Sequence, residues 1–269
     1  MIARRVVGPL LLVITLYAQV LVASTSTAFQ ITPSPSVTFS IAKADENACN
    51  VAAGVTTDET IKTLRQFAVV VTNNSSASVT ALTVVWTLLD ATGRARTQTF
   101  LSDSYMTPTL TRVIPPKGRA ILWPVVMYLQ HDDGSWTNHH LFPNASLAAN
   151  FSRAASVTVT VDFVATSDGQ FSGEDTKKTL ESIHARKQAA ADIARAIRQA
   201  QLNDQSVDDV ISQIRITHAV ARSHLDKWNQ RFAGALMNAS SREGFTRYLE
   251  SLPEIPSFRQ SPPTTGGLQ

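Results

Sequence analysis

The chain has 269 residues, 43% hydrophobic and 17% charged, enough apolar material to bury the core of one large domain or two small ones. Lys and Arg number 24 against 21 Asp and Glu; Arg4 and Arg5 stand in the first 28 residues, which hold no acid, so the 22 bases and 21 acids that follow leave a net charge of +1. A body this close to neutral excludes a global drive toward nucleic acid, and a single cysteine, Cys49, excludes an intrachain disulfide framework.

Residues 1–28 carry the three parts of a secretory signal peptide: the basic pair Arg4-Arg5, an apolar run from Val6 to Ala23, and the small-residue stretch Ser24-Thr25-Ser26-Thr27-Ala28. Ser26 and Ala28 fit a small-x-small cleavage site that leaves Phe29 first; a cut after Ala23 is the second choice. The expected location is therefore secreted or periplasmic. The alternative is an uncleaved inner-membrane anchor, since Val6–Ala23 is 18 residues, the short end for a spanning helix, with Gly8 and Pro9 weakening its start. The residues around Arg4-Arg5 do not support a twin-arginine signal. Cys49 follows the apolar run too distantly to be a lipid anchor and reads as a buried thiol, with an intermolecular disulfide as the sharper reading.

Residues 29–35 read as an extended leader, and 36–173 as a β domain. Strand-like alternation places Phe67, Val69 and Val71 on one face, then Leu82, Val84, Trp86 and Leu88, then Val157, Val159, Val161 and Phe163. Further strands are expected near 37–42, 97–101, 110–114 and 119–123. Turn chemistry separates them at Asn73-Asn74-Ser75-Ser76, Asp90-Ala91-Thr92-Gly93, Pro115-Pro116-Lys117-Gly118 and Asp168-Gly169. With no helix expected among these strands, the pattern predicts an antiparallel sandwich, carrying a long loop at about 125–156.

The period changes after Gly173. Leu180, Ile183, Ala190, Ile193, Ala194 and Ile197 fall at helical spacing, and Asn203-Asp204-Gln205 ends that helix. Ser206 with Asp209 resembles a capping box. It opens a second stripe through Val207, Val210, Ile211, Ile214, His218, Ala221, Leu225, Trp228 and Phe232. Two long helices on a short loop predict an antiparallel hairpin, with a short third helix at 241–252 completing a region at 174–252. The tail at 253–269, with Pro253, Pro256, Pro262 and Pro263, reads as disordered. The Val207–Phe232 stripe must be buried within the chain or against a second copy, so an oligomer is one of two outcomes.

The run Phe67-x-Val69-x-Val71-x-Asn73-Asn74-Ser75, then Trp86 and Asp90-x-x-Gly93, resembles immunoglobulin-like modules of bacterial surface and secreted proteins. The segment Val161-x-Phe163 through Asp168-Gly169-x-Phe171-x-Gly173-x-Asp175 is similar to the end of the β domain in such proteins. The resemblance covers about 36–173 and departs from the pattern at 125–156. It implies an immunoglobulin-like β-sandwich, here followed by a C-terminal helical hairpin in an α+β chain. It also implies a role in adhesion, binding or spacing, with no catalytic residues.

The densest polar cluster is at 131–140. His131, Asp133, His139 and His140 have side chains that ligate divalent metals, although adjacent residues in extended backbone point oppositely and no helical His-x3-His spacing is present. Tyr128, Trp136 and Phe142 are candidate apolar contacts for a partner. No G-x-S-x-G elbow, phosphate loop or cysteine-protease context is present, and no cofactor is expected. On the first helix, Lys177, Lys178, Arg186, Lys187, Arg195 and Arg198 against Glu181 and Asp192 give a local excess of +4, a face that suits anionic headgroups or an acidic partner. The chain thus reads as a non-enzymatic binding or scaffolding protein of the cell envelope. A secreted hydrolase or metal-dependent enzyme using the 131–140 loop is the alternative.

Overall fold

The computed structural model describes residues 27–36, 38–106, 112–131, 133–140 and 144–261, with backbone alone at 138–140. The apolar run at 6–23 lies outside them. Among the described residues no helix is long and apolar enough to cross a membrane.

The strands are β1 (Ala28–Ile31), β2 (Phe39–Lys43), β3 (Val69–Asn73), β4 (Val79–Leu89), β5 (Ala95–Asp103), β6 (Arg119–Trp123), β7 (Val126–Gln130), β8 (Trp136–His140), β9 (Ser156–Thr166), β10 (Gln170–Ser172) and β11 (Arg259–Gln260). The helices are α1 (Glu46–Ala53), α2 (Glu59–Arg65), α3 (Ala145–Ser152), α4 (Thr179–Leu202), α5 (Val207–Thr217), α6 (His224–Asn238) and α7 (Arg242–Glu250). One sheet runs β11-β10-β9-β4-β5, with β1 also on β9; the other runs β2-β3-β6-β7-β8. A shared core takes Leu82, Val84, Trp86, Val157 and Val159 from the first sheet and Val69, Val71, Ala120, Leu122 and Met127 from the second. The Trp86 indole donates to the Phe67 carbonyl at 3.0 Å, so its one polar atom is satisfied inside that core.

This corrects the expected architecture. The chain is a mixed α/β structure, not an antiparallel immunoglobulin-like sandwich followed by a helical hairpin. The first sheet is mixed: β1 joins β9 in parallel, with Phe29 opposite Val157, and β11 joins β10 in parallel, with Arg259 opposite Gln170. Parallel neighbours need long connections, and here the sequence between partners contains β2–β8 with α1–α3 in one case and the four C-terminal helices in the other. Three helices stand among the strands, each started by an acceptor side chain. Asp45 accepts from the Ala48 amide, Asp58 from those of Thr60 and Ile61, and Asn144 from that of Leu147. They gather where β2 ends and β3 and β9 begin, and Phe151 of α3 packs on Phe67 with ring centroids 5.0 Å apart.

The C-terminal region is four helices. The second stripe is interrupted at His218, whose Nδ1 lies 2.7 Å from Asp226 Oδ1, and Ser223 with Asp226 forms a capping box that restarts the chain as α6. Ile193, Ile197, Ile211, Phe232, Ala233 and Leu236 make a core of their own. The start of α4 also rests on the first sheet, where Leu180 and Ile183 meet Ala81, Phe163 and Ala165. Residues 253–261, within the tail read as disordered, return to this sheet: Ile255 and Phe258 pack beside Phe171, and the Arg259 amide donates to the Gly169 carbonyl at 2.8 Å.

The junction is held by two acids. Asp162 accepts from the Thr176 amide and hydroxyl at 3.0 and 2.6 Å and from the Lys177 amide at 2.9 Å. Gly173 beside it has φ +108°, and a Cβ there would press on the Asp162 carbonyl. Asp103 at the end of β5 takes both arms of Arg186 from α4, with Nη1 to Oδ2 at 3.0 Å. Both side chains are almost wholly buried, at 4% and 0% exposed.

Candidate functional site

The helix-capped end of the two sheets opens into a cleft of about 760 Å³ between β1, the end of β2, α1 and α2. The fold builds it because the chain leaves β2 at Lys43, makes two short helices, and returns as β3 beside its starting point. Phe29 and Phe67 form an apolar wall, edge to face with centroids 5.7 Å apart. Lys43 Nζ stands over the Phe29 ring, 5.5 Å from its centroid, and makes no ion pair among the described residues. Asn50, Thr56 and Gln66 add neutral polar groups to the lining, and Val55 lies on the rim, 85% exposed.

The other charges at the cleft are committed to the fold. Arg65 donates to the Gly54 carbonyl at 2.8 Å and to Asn50 Oδ1 at 3.2 Å, and stacks over Trp123 at 5.1 Å. It thereby ties the C-terminal end of α1 to α2, where the helix dipole favours a cation. Lys62 pairs with Glu59 at 2.7 Å. Asp45 caps α1 by accepting from the Ala48 amide, and Glu46 lies in the first turn, near the positive end of that helix. Cys49 lines the cleft at 1% exposure, and burial pushes its thiol above the ordinary value more than the Arg65 charge pulls it down. A buried thiol of raised pKa is a poor nucleophile, and no histidine is among the described residues that line the cleft. The arrangement can hold a small molecule whose apolar body lies on the two rings and whose acidic group faces Lys43.

The residues singled out at 131–140 lie elsewhere. The long loop expected at 125–156 is the β7–β8 hairpin followed by α3. His131 Nε2 lies 2.9 Å from the Thr137 hydroxyl, and Asp133 accepts from the Ser135 amide and hydroxyl at 2.9 and 2.6 Å. The Ser135 hydroxyl bond, more than any other contact, holds the Asp133 carboxyl below its ordinary value. His139 and His140 pair with Met127 and Val126, at the end of the hairpin away from that turn. At about 3.3 Å of rise per strand residue they stand roughly 10 Å or more beyond it. The four candidate ligands are thus spread along a hairpin. Among the described residues no group of three His, Cys, Asp or Glu could hold a metal ion. Tyr128 stacks on Trp123 at 4.8 Å and Trp136 packs against the core, while Phe142 lies outside the described residues.

Five of the six bases on the first helical stretch have acid partners: Lys178 with Glu181, Arg186 with Asp103, Lys187 with Glu254, Arg195 with Asp192 and Arg198 with Glu250. Three of those acids come from outside that stretch, so the +4 read along the helix is largely met by β5, α7 and the returning tail. No local sequence pattern marks the cleft, because its walls come from segments scattered between 27 and 67. The only sequence signals were the two helix-starting acids, Asp45 and Asp58. Compared with known proteins, the chain matches no family model, no curated protein and no solved structure.

Proposed function

We propose that this chain is a non-enzymatic, extracytoplasmic binding protein of the cell envelope, and that the helix-capped cleft takes a small amphipathic molecule carrying an acidic group. The observation that carries this reading is the pairing of an aromatic wall, Phe29 and Phe67, with Lys43 in a cleft of about 760 Å³, a volume ordinary for small-molecule sites. The other basic groups there are held by carbonyls or by Glu59, which leaves Lys43 to meet the ligand's charge. The buried Cys49 thiol, a poor nucleophile, favours holding a molecule over transforming one. The signal-like segment at 1–28 supports the extracytoplasmic part of this reading.

Laurate is a suitable probe, with a flexible apolar body and one carboxylate. Calorimetric titration of the mature protein should give saturable heat at one equivalent. Lys43→Glu should weaken binding by about tenfold or more, roughly the loss of one partly desolvated charge contact. No heat, or heat unchanged by the variant, would remove the cleft from the account.

A further inference from the structure

The two cleavage positions differ in what they leave of β1. Thr27 and Ala28 are built into the fold. The Thr27 hydroxyl donates to the Ala154 carbonyl at 3.0 Å, and the Ala28 amide donates to the Ala155 carbonyl at 3.1 Å. Ala28 is the first residue of the parallel ladder, opposite Ser156, and Thr32 closes it by donating to the Val159 carbonyl at 2.9 Å. These contacts pin β1 to the corner between α3 and β9, and they set Phe29 against Phe67. A cut after Ala28 removes both upstream contacts. It also places a free ammonium on Phe29, the residue whose ring already carries the Lys43 cation, so two like charges would crowd one edge of the cleft.

We infer that processing leaves Thr27 and Ala28 on the mature chain, with the scissile bond upstream of them at Ala23–Ser24, the alanine that ends the apolar run. In that step an envelope peptidase hydrolyses the amide: the Ala23 carbonyl carbon to Ser24 nitrogen bond breaks, and water supplies the hydroxyl of the new Ala23 carboxyl and a hydrogen of the new Ser24 amine. The inference rests on the secretory reading of residues 1–28.

Intact-mass analysis of the protein recovered from the envelope or culture fluid decides it. A chain beginning at Ser24 is expected. A chain beginning at Phe29 would overturn this inference and leave secretion standing, whereas a chain retaining Met1 or Ile2 would overturn both. Two recombinant forms, beginning at Ser24 and at Phe29, give a second readout. The shorter form should melt about 2–4 °C lower, the shift expected from losing about one net hydrogen bond in a chain of this size. It should also bind laurate less tightly, because its ladder starts one residue late and its wall is less fixed. Equal melting temperatures and equal affinities would contradict the role given to Thr27 and Ala28.

Discussion

Arg186 shows how a residue's role depends on a partner far away in the chain. Its position among five other bases suggested a face for anionic headgroups or an acidic partner. In the fold it is buried, held by Asp103 and stacked on Trp228 at 5.1 Å. Burying two charges is costly unless each satisfies the other, and here both carboxylate oxygens meet both guanidinium arms. Arg186→Ala should therefore destabilise the protein by about 3–5 kcal/mol, because it strands a buried carboxylate. The double variant Asp103→Leu with Arg186→Met should recover most of that loss. Urea unfolding of the single and the double variant measures both, and a loss under about 1 kcal/mol in the single variant would contradict a buried pair. Nothing local in the sequence announced Asp103, since it lies 83 positions upstream of its partner. Asn73 and Asp90 were legible for the opposite reason. Each closes a local turn: Asn73 Oδ1 accepts from the Ser75 amide, while its Nδ2 also donates to the distant Pro115 carbonyl, and Asp90 Oδ1 accepts from the amides of Thr92 and Arg94.

At the scale of elements, long strands with clean alternation were visible, and β4 and β9 run close to where the pattern put them. The helices α1, α2 and α3, of eight, seven and eight residues, are too short for an apolar stripe to repeat, so only their caps betray them. The single long second helix failed at His218 because the apolar spacing runs on through a break made by polar groups. That break gives a pH dependence. Hydrogen bonds from His218 and then from Ser223 hold the Asp226 carboxyl at about 2. A carboxylate with a depressed folded-state pKa contributes stability that is complete above its ordinary value, near 4, and is lost as the pH falls through about 2. Amide exchange at residues 218–226 should accelerate across that window, and Asp226→Asn should abolish the pH dependence there. A junction indifferent to pH between 4 and 2 would contradict the capping geometry. Gly173 is the matching element-scale constraint between β10 and α4. With φ +108° and no room for a Cβ beside the Asp162 carbonyl, Gly173→Ala should cost about 1–3 kcal/mol. Thermal unfolding reads this directly, and an unchanged melting temperature would refute the close approach.

For the whole molecule, the composition and the change of period at Gly173 indicated a β part and an α part, but not that they interlock. The two parallel pairings explain why. β1 reaches β9 past seven strands and three helices, and β11 reaches β10 past four helices, and no local pattern encodes a partner at that distance. The stripe through Ile211 and Phe232 is buried within the chain's own helices, so light scattering should give a monomer mass, and a stable dimer would show that another face is used. The cleft between β1, β2, α1 and α2 is where ligand binding is proposed. Hydrogen exchange of the mature protein with and without laurate tests it most directly. Slowed exchange confined to residues 27–31 and 43–67 is the predicted result; protection that appears only in the β7–β8 hairpin, or nowhere, would contradict it.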